Sequence, residues 1–189
     1  IENQHPNQTK ESTMNTLNQT TKTETHTHNT DTNSVFATLH PDLQKGINRI
    51  GFTTPTPIQQ KTIPAGIAGR DLLASSQTGS GKTAAFLLPI MHRIITDRET
   101  EKKATGRITP KTRALVLTPT RELAAQICEH FNQLAQCSDL SCAAVFGGVS
   151  MLPQETALRN GVDIIVACPG RFLDHASHSY GKLPHLEYL

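Results

Sequence analysis

The chain has 189 residues, which is enough for one domain with a hydrophobic core and too few for two full domains. Its formal net charge of +2 is a weak basic excess, so the total charge neither indicates nor excludes a nucleic-acid partner. No apolar run approaches the roughly 18 residues of a membrane span and the four cysteines form no CxxC pair, so we expect a cytoplasmic protein with reduced thiols and no membrane partner.

The composition changes near Ser34. Residues 1–34 are rich in Thr, Asn, Gln and His, contain no aromatic residue, and hold two lysines against four acidic residues. A segment of this kind cannot bury enough apolar surface to offset the entropy lost on folding. The sequence therefore predicts a disordered tail over 1–34 and one folded unit over 35–189.

Helix and strand patterns alternate after the tail. Apolar spacing or terminal signals predict five helices: HPDLQKGINRIG, TPIQQKTI, AAFLLPIMHRII, RELAAQICEHFNQLA and CPGRFLDH. A sixth, short helix is predicted around residues 155–159. Short apolar runs predict four buried strands: DLLAS at 71–75, RALVLT at 113–118, CAAVF at 142–146 and DIIVA at 163–167. This alternation predicts an α/β fold with a parallel sheet flanked by helices.

Several local features accompany these elements. Pro64 is expected to end or bend its helix, and the polar residues 97–110 predict a mobile surface loop. The helix that begins near Arg121 is expected to bury one stripe of side chains: Leu123, Ile127, Phe131 and Leu134. His175 and His178 are expected on a helix surface, because two histidines rarely make a metal site.

A glycine-rich turn, SSQTGSGKT, follows the first predicted strand. The Walker A pattern G-x-x-x-x-G-K-[ST] is matched at Gly81, Lys82 and Thr83, while Ser76 replaces the first glycine. Gly79 and Gly81 allow backbone N–H groups to turn inward, Lys82 would reach the β- and γ-phosphate oxygens, and Thr83 would offer a hydroxyl to Mg²⁺. The alternative is a glycine turn with a surface lysine. We predict a nucleotide phosphate site formed by six residues: Thr78, Gly79, Ser80, Gly81, Lys82 and Thr83.

Phe52 and Gln59 lie some twenty to thirty residues before the lysine. An amide donates and accepts at once, which matches the N6 and N7 edge of adenine and mismatches guanine. Thr56-x-x-Gln59 also fits a capping box, in which Gln59 would bind the backbone N–H of Thr56. The spacing leaves both interpretations open.

Two helix starts carry an arginine that could bind a phosphodiester. Arg121 follows Pro119 and Thr120, where free N–H groups and a guanidinium together suit a phosphate oxygen, and Gly170-Arg171 repeats this arrangement. Gly148 would allow a nucleic-acid strand to approach the backbone closely. Such contacts bind sugar and phosphate and read no base. For Arg121 the alternative is an ordinary exposed arginine.

Five segments together resemble the motifs of DEAD-box RNA helicases. In the family's order these are GFTTPTPIQ at 51–59 with Phe36 upstream (Q motif), SSQTGSGKT (motif I), PTRELA (motif Ia), Gly147-Gly148 (GG element) and CPGR (motif Ib). They are most similar to the bacterial RhlE-like subgroup. The resemblance implies the N-terminal RecA-like domain of a P-loop NTPase that uses ATP and Mg²⁺ and binds single-stranded RNA. It also implies that Gln59 reads adenine, that Phe52 stacks on it, and that Lys82 and Thr83 serve catalysis.

The sequence departs from the family pattern in two places. Motif Ib normally begins with Thr, but Cys168 stands here and is a poorer hydrogen-bond donor. The residues after CPGRFLDH contain no Asp-Glu-Ala-Asp or Ser-Ala-Thr motif. We therefore expect an incomplete domain that is marginally stable, with hydrolysis and unwinding reserved for a full-length parent. The alternative is a non-hydrolysing module that binds nucleotide and RNA as it stands.

Overall fold

The computed structural model describes residues 34–189, so the predicted tail lies outside the described residues apart from Ser34. The described chain contains six α-helices, three strands and two short 3₁₀ turns. In chain order these are a 3₁₀ turn (Val35–Thr38), α1 (Pro41–Arg49), α2 (Pro57–Ile67), α3 (Lys82–Thr105), β1 (Ala114–Leu117), α4 (Arg121–Leu134), β2 (Cys142–Val145), α5 (Leu152–Asn160), β3 (Ile164–Ala167), α6 (Pro169–Ala176) and a second 3₁₀ turn (Ser179–Gly181).

The three strands form one parallel sheet in the order β1-β3-β2, with β3 in the centre. Ile164 of β3 pairs with Ala114 on one side and with Cys142 on the other. Tyr188 contacts the free edge of β1, because the N–H of Leu115 donates to the carbonyl of Tyr188 at 2.9 Å. The predicted α/β architecture with a parallel sheet is confirmed.

Side chains of β3 alternate between two buried layers. Ile164 and Val166 pack with the larger core, which is formed with α1 to α4, whereas Ile165 and Ala167 pack with a smaller core that includes Leu158 of α5. The larger core contains most of the fully buried side chains: Leu43, Ile47, Ile63, Leu87, Leu88, Met91, Ile94, Phe131 and Leu134. The sheet is thus covered on both faces, as an all-parallel sheet requires.

The predicted strand over residues 71–75 does not form. Leu72 is 48% exposed and Leu73 is fully exposed, and the segment enters no strand pair among the described residues. An apolar run becomes a buried strand only when a neighbouring strand accepts its backbone hydrogen bonds. Here β1, the nearest edge of the sheet, is instead approached by Tyr188.

The predicted surface loop at 97–110 is mostly helix. α3 continues to Thr105 and ends at Gly106, whose φ of 75° gives a left-handed cap. Good helix formers such as Glu101, Lys102 and Lys103 fill this stretch. The positive charges of the two lysines lie in the last turn, where they interact favourably with the negative end of the helix dipole. The buried apolar positions of α3 end at Ile95, because the later turns of the helix extend beyond the core. The helix itself continues to Thr105, so the end of the apolar pattern does not mark the end of the helix.

Two smaller expectations also need correction. Pro64 does not end α2, which continues to Ile67, and of the two predicted effects only a bend is left as a prediction. Leu123 is 37% exposed and Ala124 is buried in its place, whereas the other three predicted positions of the stripe are buried as expected: Ile127, Phe131 and Leu134. Over residues 34–189, none of the helices has an apolar stretch long enough to cross a membrane.

Candidate functional site

The glycine-rich turn leads directly into α3. Gly79 and Gly81 both have positive φ, 79° and 88°, and no atom would lie within 4 Å of a Cβ added at Gly79. The turn is therefore left-handed at two positions and open on its outer side. Lys82 Nζ folds back over it and donates to the carbonyls of Ser76 at 2.6 Å and Gln77 at 2.7 Å.

These groups fit a nucleotide phosphate by their chemistry. The N–H groups in the first turn of α3 have no partner within the helix, and the positive end of its dipole favours an anion. An ammonium has three N–H donors, so Lys82 keeps one beyond the two that it uses. Lys82 and Thr83 also line a cavity of about 370 Å³ with Leu72, Leu123 and Ile127.

Thr83 is the residue of this turn whose hydroxyl suits Mg²⁺, which prefers oxygen ligands and usually retains several waters. Within residues 34–189 no group of three or more His, Cys, Asp or Glu side chains could hold a metal ion.

Gln59 joins the segment 51–59 to the glycine turn. Its side chain is buried, its Oε1 accepts from the N–H of Thr56 at 2.9 Å, and its Nε2 donates to the carbonyl of Gly81 at 3.2 Å. The helix-capping interpretation is thus present in the structure, together with a contact to Gly81 that the sequence analysis missed. The amide retains one lone pair and one N–H. Phe52, by contrast, is 41% exposed.

Arg121 begins α4 just after β1 and is largely exposed. Its Nε donates to Glu122 Oε1 at 2.7 Å. This contact lowers the pKa of the Glu122 carboxyl, so Glu122 is ionised and its negative charge interacts favourably with the start of the helix. A carboxylate held in this way is a poor general base. Thr120 caps the helix, because its hydroxyl accepts from the N–H of Leu123 at 3.2 Å, and Pro119 precedes it on the surface.

A turn of residues 147–150, called the GG turn below, follows β2 and lies between Arg121 and Arg171. A Cβ at Gly148, where φ is 82°, would meet Arg121 Nη1 at 3.3 Å. On the other side Arg171 Nη1 donates to the carbonyl of Val149 at 3.1 Å. The three strands of the sheet therefore bring Arg121, Gly148 and Arg171 together at their carboxyl ends, the edge where ligands bind in parallel sheets.

Gly170 and Cys168, which lie one and three residues before Arg171, differ in their surroundings. Gly170 is exposed, and a Cβ added there would meet no atom within 4 Å. Cys168 is the N-cap of α6 but makes no side-chain capping bond, and its Sγ lies 3.9 Å from Thr118 Oγ1. The thiol is a weak hydrogen-bond acceptor, so the first turn of α6 has no side-chain cap.

His175 is wrongly predicted as a surface residue. It is fully buried between α5 and the second 3₁₀ turn, where its ring nitrogens lie 3.4 Å from Gln154 Oε1 and 3.3 Å from the hydroxyl of Tyr180. Burial lowers the pKa of His175. Gln154, which the sequence analysis did not single out, is also buried and donates to the carbonyls of Phe146 and Ser150. His178 is exposed, as expected.

Comparison with known proteins places the chain in a family. The family model of the DEAD/DEAH box helicase matches residues 56–189, and the chain therefore belongs to that family. A solved structure described as a hypothetical ATP-dependent RNA helicase from Sulfolobus tokodaii superposes with a TM-score of 0.61 and 35% identity, covering 74% of this chain and 37% of that one.

The curated relatives are eukaryotic. A probable ATP-dependent RNA helicase ddx27 of Dictyostelium discoideum is 44% identical over 157 residues, 82% of this chain and 19% of the relative. The DEAD-box ATP-dependent RNA helicase 28 of Oryza sativa subsp. japonica is 44% identical over 141 residues, 75% of this chain and 17% of the relative. The predicted DEAD-box family is confirmed, whereas the bacterial RhlE-like subgroup is not supported. The chain spans less than a fifth of the length of these relatives.

Proposed function

We propose that the chain binds ATP with Mg²⁺ at the glycine turn and the sugar-phosphate backbone of single-stranded RNA at the GG turn. It would do so as the N-terminal RecA-like part of an ATP-dependent RNA helicase. The observation that carries the proposal is the turn that is left-handed at Gly79 and Gly81, is open at Gly79, and ends in the free N–H groups of α3 and in Lys82. A turn of this form suits a chain of phosphates.

Adenine selection follows from Gln59 in this proposal. Its remaining N–H and lone pair match the N7 acceptor and N6 donor of adenine, and the exposed ring of Phe52 offers a stacking surface. Because Nε2 also bonds Gly81, the same amide would connect recognition of the base to the shape of the phosphate turn.

The phosphates would then be held by backbone N–H groups of residues 78–83 and by the ammonium of Lys82. Lys82 would exchange its bonds to the Ser76 and Gln77 carbonyls for phosphate oxygens, and the hydroxyl oxygen of Thr83 would be a ligand of the metal. Magnesium, when bound, neutralises phosphate charge and thereby favours phosphoryl transfer. A charged donor fixed before the reaction contributes most where negative charge develops.

The RNA part of the proposal assigns backbone contacts to six residues, without base specificity: Pro119, Thr120, Arg121, Gly148, Gly170 and Arg171. Arg121 is exposed beside the open backbone of Gly148, so a phosphodiester could contact both. Hydrolysis and duplex unwinding are proposed for the whole protein, since the relatives named as helicases are several times longer. A cytoplasmic location remains an expectation from the sequence.

Nucleotide binding is tested by titrating the chain with fluorescent ATP and GTP analogues in Mg²⁺. Lys82→Ala should weaken ATP binding about 10- to 100-fold, the value of a charge-assisted hydrogen bond of about 1.5–3 kcal/mol. Gln59→Ala should reduce the preference for ATP over GTP by about 1–3 kcal/mol. Lys61→Ala, an exposed lysine on α2, serves as the matched control and should change neither. A folded chain without affinity for ATP and Mg²⁺ would refute the nucleotide site, and unchanged selectivity in Gln59→Ala would leave Gln59 as a cap.

A further inference from the structure

The GG turn is held at both ends by a single amide. Gln154 Nε2 donates to the carbonyl of Phe146, just before the turn, at 3.2 Å, and to the carbonyl of Ser150, at its end, at 3.1 Å. Gln154 lies in the first turn of α5 and is only 6% exposed. Both N–H donors of one buried side chain are therefore used to fix the separation of the two ends of this turn.

His175 fixes the orientation of the Gln154 amide. Rotation by 180° would direct Gln154 Oε1 at two carbonyl oxygens, which repel it, so Oε1 must face His175 Nε2 at 3.4 Å. His175 then carries its proton on Nε2, and its Nδ1 accepts from the hydroxyl of Tyr180 at 3.3 Å. Tyr180 is itself held by the guanidinium of Arg159, 4.5 Å from its ring centre.

Each group in this chain of hydrogen bonds has a consistent role. The Tyr180 hydroxyl donates to His175, His175 donates to Gln154, and Gln154 donates to the backbone of the GG turn. His175 is fully buried, and burial favours its neutral form, which is the form this arrangement requires. A buried polar network that satisfies all its members makes one geometry rigid.

We infer that Gln154 is a positioning residue for nucleic-acid binding, holding the GG turn in the conformation that exposes Gly148 between Arg121 and Arg171. This inference rests on the proposed RNA site. Gln154 is buried and does not contact the RNA itself. Together with the bond from Arg171 to Val149, it pairs three carbonyl oxygens of this segment with protein donors. That pairing offsets the repulsion that these oxygens would exert on an approaching phosphate.

The experiment compares the chain with Gln154→Met, which keeps the length of the side chain and removes both donors. The probe is a fluorescein-labelled oligouridylate of ten nucleotides, followed by fluorescence anisotropy at several salt concentrations. We expect RNA affinity to fall about five- to tenfold, as for the loss of two hydrogen bonds between neutral groups. Amide exchange should become faster at residues 147–150. ATP affinity should stay within about twofold, because the glycine turn does not depend on Gln154.

Two comparisons separate positioning from other roles. In Arg121→Ala the slope of log Kd against log salt should decrease by about one, whereas in Gln154→Met it should stay at the original value, because no phosphate contact is removed. Tyr180→Phe keeps the aromatic ring, removes only the last donor behind His175, and should weaken RNA binding about twofold. The matched control is Gln136→Met, an exposed glutamine beyond α4, which should leave every measurement unchanged.

The outcomes distinguish this inference from the function it rests on. If the original chain has no affinity for the oligonucleotide, the proposed RNA site fails, and the inference fails with it. If the original chain binds and Gln154→Met binds equally well, or exchanges its amides at 147–150 at the same rate, only the inference is overturned. Parallel losses of ATP and RNA affinity would show that Gln154 supports the whole fold, which also overturns it.

Discussion

Two buried glutamines each hold a glycine turn by donating to its backbone. Gln59 binds the carbonyl of Gly81, and Gln154 binds those of Phe146 and Ser150. The glycines of each turn carry no side chain that could fix its shape, so a long neutral amide from a neighbouring helix helps to hold it without adding charge. Each candidate ligand surface is therefore supported by a buried amide that lies outside the turn, and the GG turn is also bonded by Arg171.

His175 makes stability depend on pH. Its pKa in the folded protein is lowered by burial, whereas in the unfolded chain it is near the ordinary value of about 6.5. Below about pH 6.5 the unfolded chain binds a proton that the folded protein does not, so the stability contributed by neutral His175 is present above this pH and decreases as the pH falls.

Urea unfolding at pH 7.5 and pH 5.5 measures this effect. We expect the free energy of unfolding to decrease more between these values in the original chain than in His175→Gln. The pKa of His92 is lowered as well, but His92 is present in both proteins and cancels in the comparison. His185→Gln, an exposed histidine, should behave like the original chain. Equal pH dependence in His175→Gln and the original chain would contradict the assignment.

Among the elements, α3 shows best what the sequence could and could not predict. The glycine turn at its start and the apolar positions of its first half follow from local patterns. Its polar second half does not, because ion pairs with distant residues hold it: Arg98 contacts Asp163 at 2.7 Å and Asp97 contacts Arg113 at 2.9 Å. The strand expected at 71–75 failed for the same reason, since strand formation depends on partners far along the chain. Gln154 and His175 likewise carry no local signal.

The Arg98 and Asp163 pair joins α3 to the start of β3. Asp163 is 1% exposed and also accepts from the N–H and hydroxyl of Ser141. Arg98→Ala should lower the free energy of unfolding by about 3–5 kcal/mol, because it leaves a buried carboxylate without its cation. Chemical denaturation measures this loss. Asp163→Asn in the same chain should recover part of it, and Lys103→Ala, exposed on the same helix, should cost less than about 0.5 kcal/mol.

The molecule as a whole exposes an apolar surface beside the glycine turn. Leu72 and Leu73 protrude from the extended segment before the turn, and Leu123 of α4 is partly exposed near them. In the described part of the chain, the backbone at the free edge of β1 pairs only with Tyr188. Exposed leucines next to an open strand edge favour self-association.

We therefore expect the 189-residue chain to bind a hydrophobic dye and to form oligomers in light scattering. Leu73→Lys should reduce both signals without lowering the midpoint of thermal unfolding, because Leu73 is fully exposed. Leu43→Lys, in a fully buried position of α1, should instead unfold the protein. A monomeric chain with one cooperative transition and little dye binding would contradict this expectation.

The strand order β1-β3-β2 has a consequence for synthesis on the ribosome. Within residues 34–189 the first two strands do not pair with each other, and the strand that both of them pair with is residues 164–167. A nascent chain must therefore carry β1 and β2 as unpaired segments until almost the whole described sequence has left the exit tunnel. Assembly that waits for a late central strand is slow and prone to aggregation, so this region would benefit from a chaperone during translation.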